Sequence, residues 1–567
     1  MTQTNQKARP PLPGDKKETS IGTTRRHLLF AAGSLAASST VASWTPVPVN
    51  ARELPAPSKQ LAGVSRVRSV AARSVRVSAA VGQFQTPTMR TIGNDDESRL
   101  SQFIGSFTKT LPHNNVGEVE PVAYRALTGA LLGRKNANWD NIILAPQARR
   151  KLANPQASLS FGLAGGDSHA FFMPPAPTFS SAETAAEMAE IYWHALLRDV
   201  PFDDYPRAPA AAQAVSSLNT LVAFSGPRVG GKVTPGTLFR GSFSGDLLGN
   251  YVSQFLLKPI PQGAALIDQR YQTTVPGDDH MTNRDDWLHI LRGGAPASVN
   301  RYEDVPRYIT SGRDLCEYVH RDYTYQTYLQ AALILLGMNA PRQPSNPYND
   351  NPTEGGFVTF GAADLLSQLG EVTSQALKAA WYHKWQQHRR LRPEVFGGRV
   401  HFTLTGECNY PIHADLLNSD VIQEIARSNN GEFWLPMAYP EGSPTHPAYP
   451  AGHAVVAGAC VTVLKAFFDP AGHVAQPLQV VANSNGAAVQ PYDGPDTLTV
   501  GGELNKLANN IAIGRNLAGV HWRSDGTDGL LLGEEVAIRM LRDARRTYRE
   551  VTSPIDLTGF SGTTITI

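Results

Sequence analysis

Beyond about residue 95, apolar and polar positions recur along most of the chain with the spacing of an α-helix. Proline, glycine and asparagine cluster at 338–356 and 427–450, which predicts loops. Short β-prone pieces occur at 399–404 and in the Thr- and Ile-rich C-terminus. The pattern predicts a mainly α fold of helical bundles with a few short β-hairpins. The predicted helices are 126–132, 182–197, 247–257, 314–336, 363–391, 421–426, 453–468, 504–513 and 525–549.

The first residues have the pattern of an export signal. Arg25 and Arg26 precede a run of small and apolar residues at 31–42, which is typical of a bacterial twin-arginine (Tat) signal. The alternative is a disordered tail with a chance arginine pair. The apolar run is too short to predict a permanent membrane span. We therefore expect export to the periplasm or the extracellular space.

Residues 52–95 are rich in Arg, Ser, Pro, Val and Ala and contain few acidic residues. They predict a linker, or an arm that lies across a partner subunit in a possible homo-oligomer; the linker is favoured before Gly82. The chain is thus divided into a signal at 1–51, this linker or arm at 52–95, and a helical catalytic domain at 96–567.

Composition bounds the remaining choices. A chain of 567 residues with 41% hydrophobic content can bury a large core. The net charge of +2 gives no whole-chain argument for binding nucleic acid or a membrane, and neither is expected as a partner. The three cysteines cannot all pair with one another: Cys460 is predicted to be a buried thiol, and pairing of Cys316 with Cys408 stays open.

Three segments carry the chemistry, and the first contains Lys384 and Arg392. The residues from about Val372 read as one helix that ends before Pro393. On that helix the two cations would lie about 12 Å apart along the axis and within about 80° of each other. Two long cationic side chains can therefore converge on one small anion, the arginine as a planar fork and the lysine as a point charge.

The second segment is Tyr-Pro-Ala-Gly-His at 449–453, directly before an apolar run that predicts a buried helix. A helix N-terminus presents free backbone N–H groups and partial positive charge, so it can bind an anion. Gly452 allows close approach of an oxyanion to the backbone. His453 at its rim suits acid–base chemistry near neutral pH.

The third segment places Arg515 six residues before His521, with Asp525 four residues further on. Arg515 can clamp an anion with two parallel hydrogen bonds. His521 is a natural nucleophile or metal ligand. Asp525 can orient the histidine ring or cap the helix that follows.

In order and internal spacing, these segments resemble the signature of the vanadium-dependent haloperoxidases and the type 2 phosphatidic acid phosphatase superfamily. That signature is a Lys and an Arg-Pro, then Pro-Ser-Gly-His, then Arg and His six apart with a trailing Asp. The resemblance implies a four-helix-bundle site that holds vanadate, with His521 bonded to vanadium and His453 and Lys384 catalytic. The implied cofactor-binding residues are Lys384, Arg392, Gly452, His453, Arg515 and His521.

Further details resemble the haloperoxidases, and the algal bromoperoxidases in particular. Trp381 lies three residues before Lys384, where haloperoxidases carry a tryptophan on the halide side. His446 lies seven residues before His453 and matches a second active-site histidine of algal bromoperoxidases, so it is implied to be catalytic and to line the halide pocket. The implied activity is oxidation of halide by hydrogen peroxide to hypohalous acid, with bromide and iodide favoured and small organic molecules as acceptors.

One position departs from the signature, because Ala451 stands where the serine is expected. The change removes a hydroxyl that would donate to the bound anion. Two other functions stay open. An acid phosphatase on the same scaffold would use His521 as its nucleophile and His453 as its acid, and an exported oxyanion-binding protein would have no catalytic role.

Overall fold

The computed structural model describes residues 59–88, 93–134, 138–473, 479–550 and 553–567. The expected signal at 1–51 lies outside these residues. The chain divides into two units, Met1–Val67 and Arg68–Ile567. Only 59–67 of the first unit are described, as the start of a helix, and everything below concerns the second unit unless stated.

The described residues form fifteen α-helices and three two-stranded antiparallel hairpins, which confirms the mainly α fold class. The helices are α1 Lys59–Gln85, α2 Asp96–Arg99, α3 Pro121–Leu131, α4 Ala182–Leu196, α5 Pro209–Thr220, α6 Arg284–Leu291, α7 Gly312–Arg321, α8 Gln326–Gly337, α9 Ala362–Tyr382, α10 Pro393–Leu404, α11 Ala414–Leu417, α12 Asp420–Ser428, α13 Gly452–Phe467, α14 Val500–Leu517 and α15 Arg523–Arg545. The strands are β1 Ile260–Gln262, β2 Ala265–Ile267, β3 Val480–Ala482, β4 Val489–Pro491, β5 Asp556–Thr558 and β6 Thr564–Thr566.

Helices α9, α13, α14 and α15 form a four-helix bundle in which α9 and α14 each pack on both α13 and α15. Helix α13 has apolar residues on all sides and almost every one of its side chains is buried, as expected for a helix at the centre of a core. The C-termini of α9 and α14 and the N-termini of α13 and α15 lie at the same end of the bundle. The three chemistry-bearing segments lie at those helix ends.

Glycines allow α13 and α15 to approach until their backbones touch. A Cβ atom on Gly533 would lie 2.0 Å from the carbonyl oxygen of Val455, and one on Gly458 would lie 2.0 Å from that of Leu530. Side-chain bulk at these two positions would force the helices apart. The separation of the two helix N-termini is therefore set by backbone contact.

The helix predicted to run to Arg392 ends earlier. Helix α9 stops at Tyr382 and continues as a π-helical turn, His383–His388, in which the Arg389 amide donates to the Lys384 carbonyl at 3.0 Å. Arg389 has a left-handed backbone with φ of 45°. The prediction that Lys384 and Arg392 share one helix face is therefore wrong; Arg392 is instead the N-cap residue of α10.

Three other expectations differ from the structure. The predicted helix 247–257 contains only a 3₁₀ turn, Gln254–Leu256. The predicted helix 314–336 is divided between α7 and α8. The β-prone piece at 399–404 lies in α10 and not in a strand, because burial of this helix outweighs the intrinsic preference of its Val, Phe and Thr residues. The predicted C-terminal hairpin is confirmed as β5–β6.

Residues 59–85 form a helix, and the choice between a linker and an arm for 52–95 stays a prediction. Residues 59–85 contain no proline. Their Ala, Arg and Val residues recur at intervals of three and four positions, which is the spacing of a helix and cannot be read from composition alone. Within the described part of the chain, no helix combines the length and apolar character needed to cross a membrane. Cys316, Cys408 and Cys460 are all free thiols, and Cys460 is buried as predicted.

We predict that Gly533→Ala lowers the free energy of unfolding by about 1–3 kcal/mol, because the new methyl group meets the Val455 carbonyl. Gly370→Ala is the matched control, since Gly370 lies inside α9 with nothing within 4 Å of a Cβ atom. The control should gain up to about 1 kcal/mol from helix propensity. Urea denaturation measures both, and equal effects of the two substitutions would contradict close backbone packing of α13 on α15.

Candidate active site

A cavity of about 260 Å³ opens at the end of the bundle where the three segments meet. Trp381 and Leu377 come from the last turns of α9, Arg515 from the last turn of α14, and Gly452 and His453 from the first turn of α13. His446 reaches the cavity from the loop before α13. The lining residues are Asp322, Thr324, Leu377, Trp381, Pro444, His446, Gly452, His453, Val456, Arg515 and His521.

Lys384 and Arg392 are fully buried directly beside this lining. The Lys384 ammonium donates to the carbonyl oxygens of Pro447 at 2.8 Å and Ala448 at 2.9 Å. The π-helical turn sets this direction, because it widens the helix at the residue that must reach the 446–448 loop. Both cations predicted from the sequence therefore enter the same site, although from two different elements.

The Arg392 guanidinium links two histidines of the lining. It donates to Nε2 of His521 at 3.0 Å and to Nδ1 of His446 at 2.9 Å. It also donates to the carbonyl oxygens of Val520 and His446. Because a guanidinium only donates, Nε2 of His521 accepts and is the unprotonated nitrogen of that ring, whereas Nδ1 of His446 also lies 3.1 Å from the Pro447 carbonyl oxygen.

Asp525 fixes the His521 ring from the other side. Its Oδ2 accepts from Nδ1 of His521 at 2.8 Å and from the Trp522 amide at 3.0 Å. The carboxylate thus orients the imidazole and caps α15, so both roles considered for it are present at once. A histidine held in this way keeps Nε2 unprotonated, and its lone pair is the one that accepts from Arg392.

Arg515 is held through one nitrogen of its guanidinium, Nη1. Nη1 donates to the Val319 carbonyl at 2.7 Å and lies 3.4 Å from the Tyr439 hydroxyl. Nε is buried and has no hydrogen-bond partner among the described residues. A buried donor left in this state is costly unless a ligand satisfies it.

His453 lies at the cavity mouth, with its side chain 31% exposed. Its Nε2 lies 3.1 Å from Oδ1 of Asp322, a residue that is itself almost fully buried. The pair can move a proton between the cavity and the carboxylate side. Sequence reasoning assigned Asp322 no role, because only the fold brings the end of α7 to the start of α13.

His446 and Trp381 form one wall, with ring centroids 4.9 Å apart. The Trp381 indole donates to the Ala153 carbonyl at 3.0 Å, which holds the ring against the cavity. Leu377 and Val456 add apolar surface to the same cavity.

The site is strongly electropositive because its cations lack carboxylate partners. Among the described residues, Lys384, Arg392 and Arg515 form no salt bridge with Asp or Glu. Burial lowers the pKa of Lys384 well below its usual range and that of Arg392 to about 9. Burial, followed by the nearby Arg392, Lys384 and Arg515, also holds the pKa of His521 well below its usual value.

The nearby arginine Arg390 has the opposite environment, and sequence reasoning missed it. It donates to Asp525 at 2.9 Å and Glu187 at 2.8 Å, and all three side chains are buried. Burial raises the pKa of Asp525, and the Arg390 charge partly offsets that rise. Arg390 therefore holds Asp525 in place behind His521 and does not face the cavity itself.

The donor set fits a tetrahedral oxyanion. Arg515 and the start of α13 line the cavity, Lys384 and Arg392 are buried beside that lining, and Arg515 Nε lacks a partner among the described residues. A family model described as the VCPO second helical-bundle domain matches residues 366–550, which contain every site residue predicted from the sequence. Vanadium-dependent bromoperoxidases are similar over most of the chain. That of Corallina pilulifera is 37% identical, with 83% of this chain and 92% of its own covered.

The chain belongs to the vanadium-dependent bromoperoxidase family. The relative from Ascophyllum nodosum is 35% identical over 84% of this chain and 88% of its own. Among solved structures, the homohexameric second vanadate-dependent bromoperoxidase of Ascophyllum nodosum aligns with a TM-score of 0.83 and 31% identity, covering 94% of each chain. The structural similarity therefore covers 94% of each chain and is not confined to the four-helix bundle.

Ala451 is the N-cap residue of α13, fully buried and without a side-chain cap. We predict that Ala451→Ser tightens orthovanadate binding about tenfold to a hundredfold, because a hydroxyl donor to a charged oxyanion contributes ~1.5–3 kcal/mol. Titration of the apo-protein with orthovanadate measures the change.

Ala208→Ser is the matched control. Ala208 is likewise an uncapped N-cap residue in extended backbone, at the start of α5. Both substitutions should stabilise their helices, whereas only the one at Ala451 should change oxyanion affinity. Unchanged or weaker binding by Ala451→Ser would show that the pocket has no room for the hydroxyl.

Proposed function

We propose that this protein is a vanadate-dependent haloperoxidase that uses hydrogen peroxide to oxidise halide to hypohalous acid. The observation that carries the proposal is the set of buried cations without carboxylate partners, beside a His453–Asp322 pair at the mouth of the same cavity. Bromide and iodide are its preferred halides, and small organic molecules are the acceptors of the oxidised halogen. Family membership and the TM-score of 0.83 to a bromoperoxidase support the activity.

Vanadate fits the residues that are present. The anion's negative charge would be balanced by Lys384, Arg392 and Arg515, and the first amides of α13 at Gly452 add further donors. His521, with its Nε2 unprotonated, would supply the nitrogen ligand for vanadium in place of its present bond from Arg392. Vanadate held there would supply Lewis-acid activation of hydrogen peroxide for two-electron oxidation of a halide, with no change in the oxidation state of vanadium.

His453 provides the acid–base group of the reaction. It is the histidine at the cavity mouth, and its bond to Asp322 holds the ring towards incoming peroxide. It accepts a proton from peroxide and returns one when water or hypohalous acid leaves. Lys384 acts as a fixed positive charge in a buried site, where such a charge stabilises developing negative charge at no reorganisation cost.

His446 and Trp381 form the halide side of the cavity in this proposal. The His446 imidazole is the polar group of this wall, and the indole and Leu377 exclude water around it. This mixed wall favours the larger, more weakly hydrated bromide and iodide over chloride.

An acid phosphatase and a non-catalytic oxyanion-binding protein are less favoured. The phosphatase would phosphorylate His521 at the same cation cluster, and nothing in the cation cluster alone separates the two activities. Similarity to bromoperoxidases over 83–88% of the chain favours the peroxidase.

Purified protein should brominate a phenolic dye only with hydrogen peroxide, bromide and orthovanadate together. Inorganic phosphate should suppress the activity, because it competes for the same cations. The specificity constants for iodide and bromide should be higher than the specificity constant for chloride. Equal bromination by vanadium-free protein would refute the proposal, and release of phosphate from a phosphomonoester at a comparable rate would favour the phosphatase.

We predict that substitution of His521 removes vanadium binding, whereas substitution of His453 removes turnover. His521→Ala should abolish vanadium retention on gel filtration, because the nitrogen ligand is gone. His453→Ala should retain vanadium yet lose turnover by about 10²–10⁴-fold, since it removes a proton carrier and no ligand. Elemental analysis of both variants decides the assignment, which fails if their vanadium contents are equal.

We also propose that the protein assembles into a homo-oligomer through α1. From Lys59 to Gln85 this helix has five basic and no acidic residues, whereas residues 86–567 are net acidic. Val70, Val77, Val81 and Phe84 form an exposed stripe along one of its faces. A structural relative is a homohexamer. Light scattering should give a multiple of the chain mass; a monomer at micromolar concentration would refute assembly.

Export through the Tat pathway is proposed from Arg25 and Arg26 alone. Fractionation of cells that carry the Arg25→Lys and Arg26→Lys double variant tests it. Retention of the variant in the cytoplasm is expected, and unchanged export would refute this route.

A further inference from the structure

Arg515 depends on a group of residues that lie outside the cavity. Its guanidinium carbon lies 5.5 Å from the ring centroid of Tyr439, and its Nη1 reaches the Tyr439 hydroxyl and the Val319 carbonyl. The Tyr439 hydroxyl in turn donates to the Cys316 carbonyl at 2.7 Å. Tyr439 and the end of α7 therefore support the Arg515 guanidinium from outside the cavity.

The Tyr439 ring is stacked on His320, with centroids 3.9 Å apart and planes within 10°. Nε2 of His320 lies 2.8 Å from Oε1 of Glu441, and Nδ1 lies 3.3 Å from Oε2 of Glu317. Since both ring nitrogens face carboxylate oxygens, the doubly protonated imidazolium is the form that satisfies both contacts. An imidazolium stacked on a phenol ring gains a cation–π attraction as well as van der Waals contact.

The stack is anchored at both ends. Glu317 is on α7 and is almost fully buried. The Glu441 carbonyl accepts from Lys109 at 2.9 Å and from Arg150 at 2.9 Å, which fixes the loop on which Tyr439 lies. The stack thus joins α7 to this loop at the position where Arg515 needs a rigid support.

The geometry points to His320 as a positioning residue for the oxyanion site. We propose that the His320 ring, held between Glu317 and Glu441, fixes Tyr439 and through it the Arg515 guanidinium, so that Nε of Arg515 is aimed at the bound anion. The inference rests on the proposed function, because it assumes that Arg515 binds vanadate. His320 itself lines no part of the cavity and touches no reacting atom.

A double-mutant cycle on orthovanadate affinity tests the proposal. The proteins are the wild type, His320→Ala, Arg515→Lys and the double variant, each titrated as apo-protein by calorimetry. His320→Ala should raise the dissociation constant about three- to tenfold in the wild-type background. It should raise it less than about twofold in the Arg515→Lys background, since the coupling runs through the arginine.

Two further variants separate stacking from local damage. His320→Phe keeps a flat ring on Tyr439 without its charge or hydrogen bonds, and should give a smaller loss than His320→Ala. It also serves if the alanine variant does not fold. His413→Ala is the surface control, because that ring caps the short helix α11 and lies outside the cavity lining.

The outcomes are distinct. If the wild type binds no orthovanadate, the proposed function fails. If it binds and His320→Ala leaves affinity unchanged, or weakens it equally in both arginine backgrounds, the positioning role is refuted. A lowered melting temperature with unchanged affinity would likewise assign His320 to stability alone and overturn the inference.

Discussion

The site depends on the burial of cations that pair with no carboxylate in the described part of the chain. Lys384 and Arg392 are bound by carbonyl oxygens and histidine nitrogens, and Arg515 keeps a donor that none of the described residues satisfies. Burial of unbalanced positive charge is costly, and the lowered pKa values of Lys384 and Arg392 reflect that cost. Another buried arginine, Arg399, is also held by carbonyl oxygens, so carbonyl ligation alone does not define the site. What distinguishes the cavity is the convergence of several such cations on one space.

The fold holds these charges together against their mutual repulsion. Backbone contact between α13 and α15 fixes the two helix ends that carry His453 and His521. The π-helical turn after α9 sends Lys384 into the 446–448 loop, and Arg392 ties that loop to His521. Two buried acids, Asp525 and Glu187, bind Arg390 behind His521, and Asp322 of the cavity lining bonds to His453. Negative charge near the cavity is therefore already engaged, which leaves its cations available to a ligand.

Much of this arrangement could be predicted from the sequence, and the exceptions have physical causes. Residue order and spacing identified Lys384, Arg392, His453, Arg515 and His521 because these residues follow or precede helix ends, which composition marks well. The shared helix face proposed for Lys384 and Arg392 was wrong, since neither a π-helical turn nor a left-handed Arg389 has a sequence signature of its own. Asp322 and His320 were missed as functional residues because their roles depend on contacts with residues more than a hundred positions away. The helical character of 399–404 likewise comes from burial and not from local preference.

One oxyanion is expected to complete this buried charge cluster, and ligand-dependent unfolding of the apo-protein measures whether it does. A ligand that binds only the folded state adds about 2.7 kcal/mol to the free energy of unfolding at a hundred times its dissociation constant. The melting temperature should rise continuously with orthovanadate concentration, whereas monovalent perchlorate at equal ionic strength should produce no such rise. A melting temperature that is independent of orthovanadate up to millimolar concentration, or that rises equally with perchlorate, would contradict this expectation.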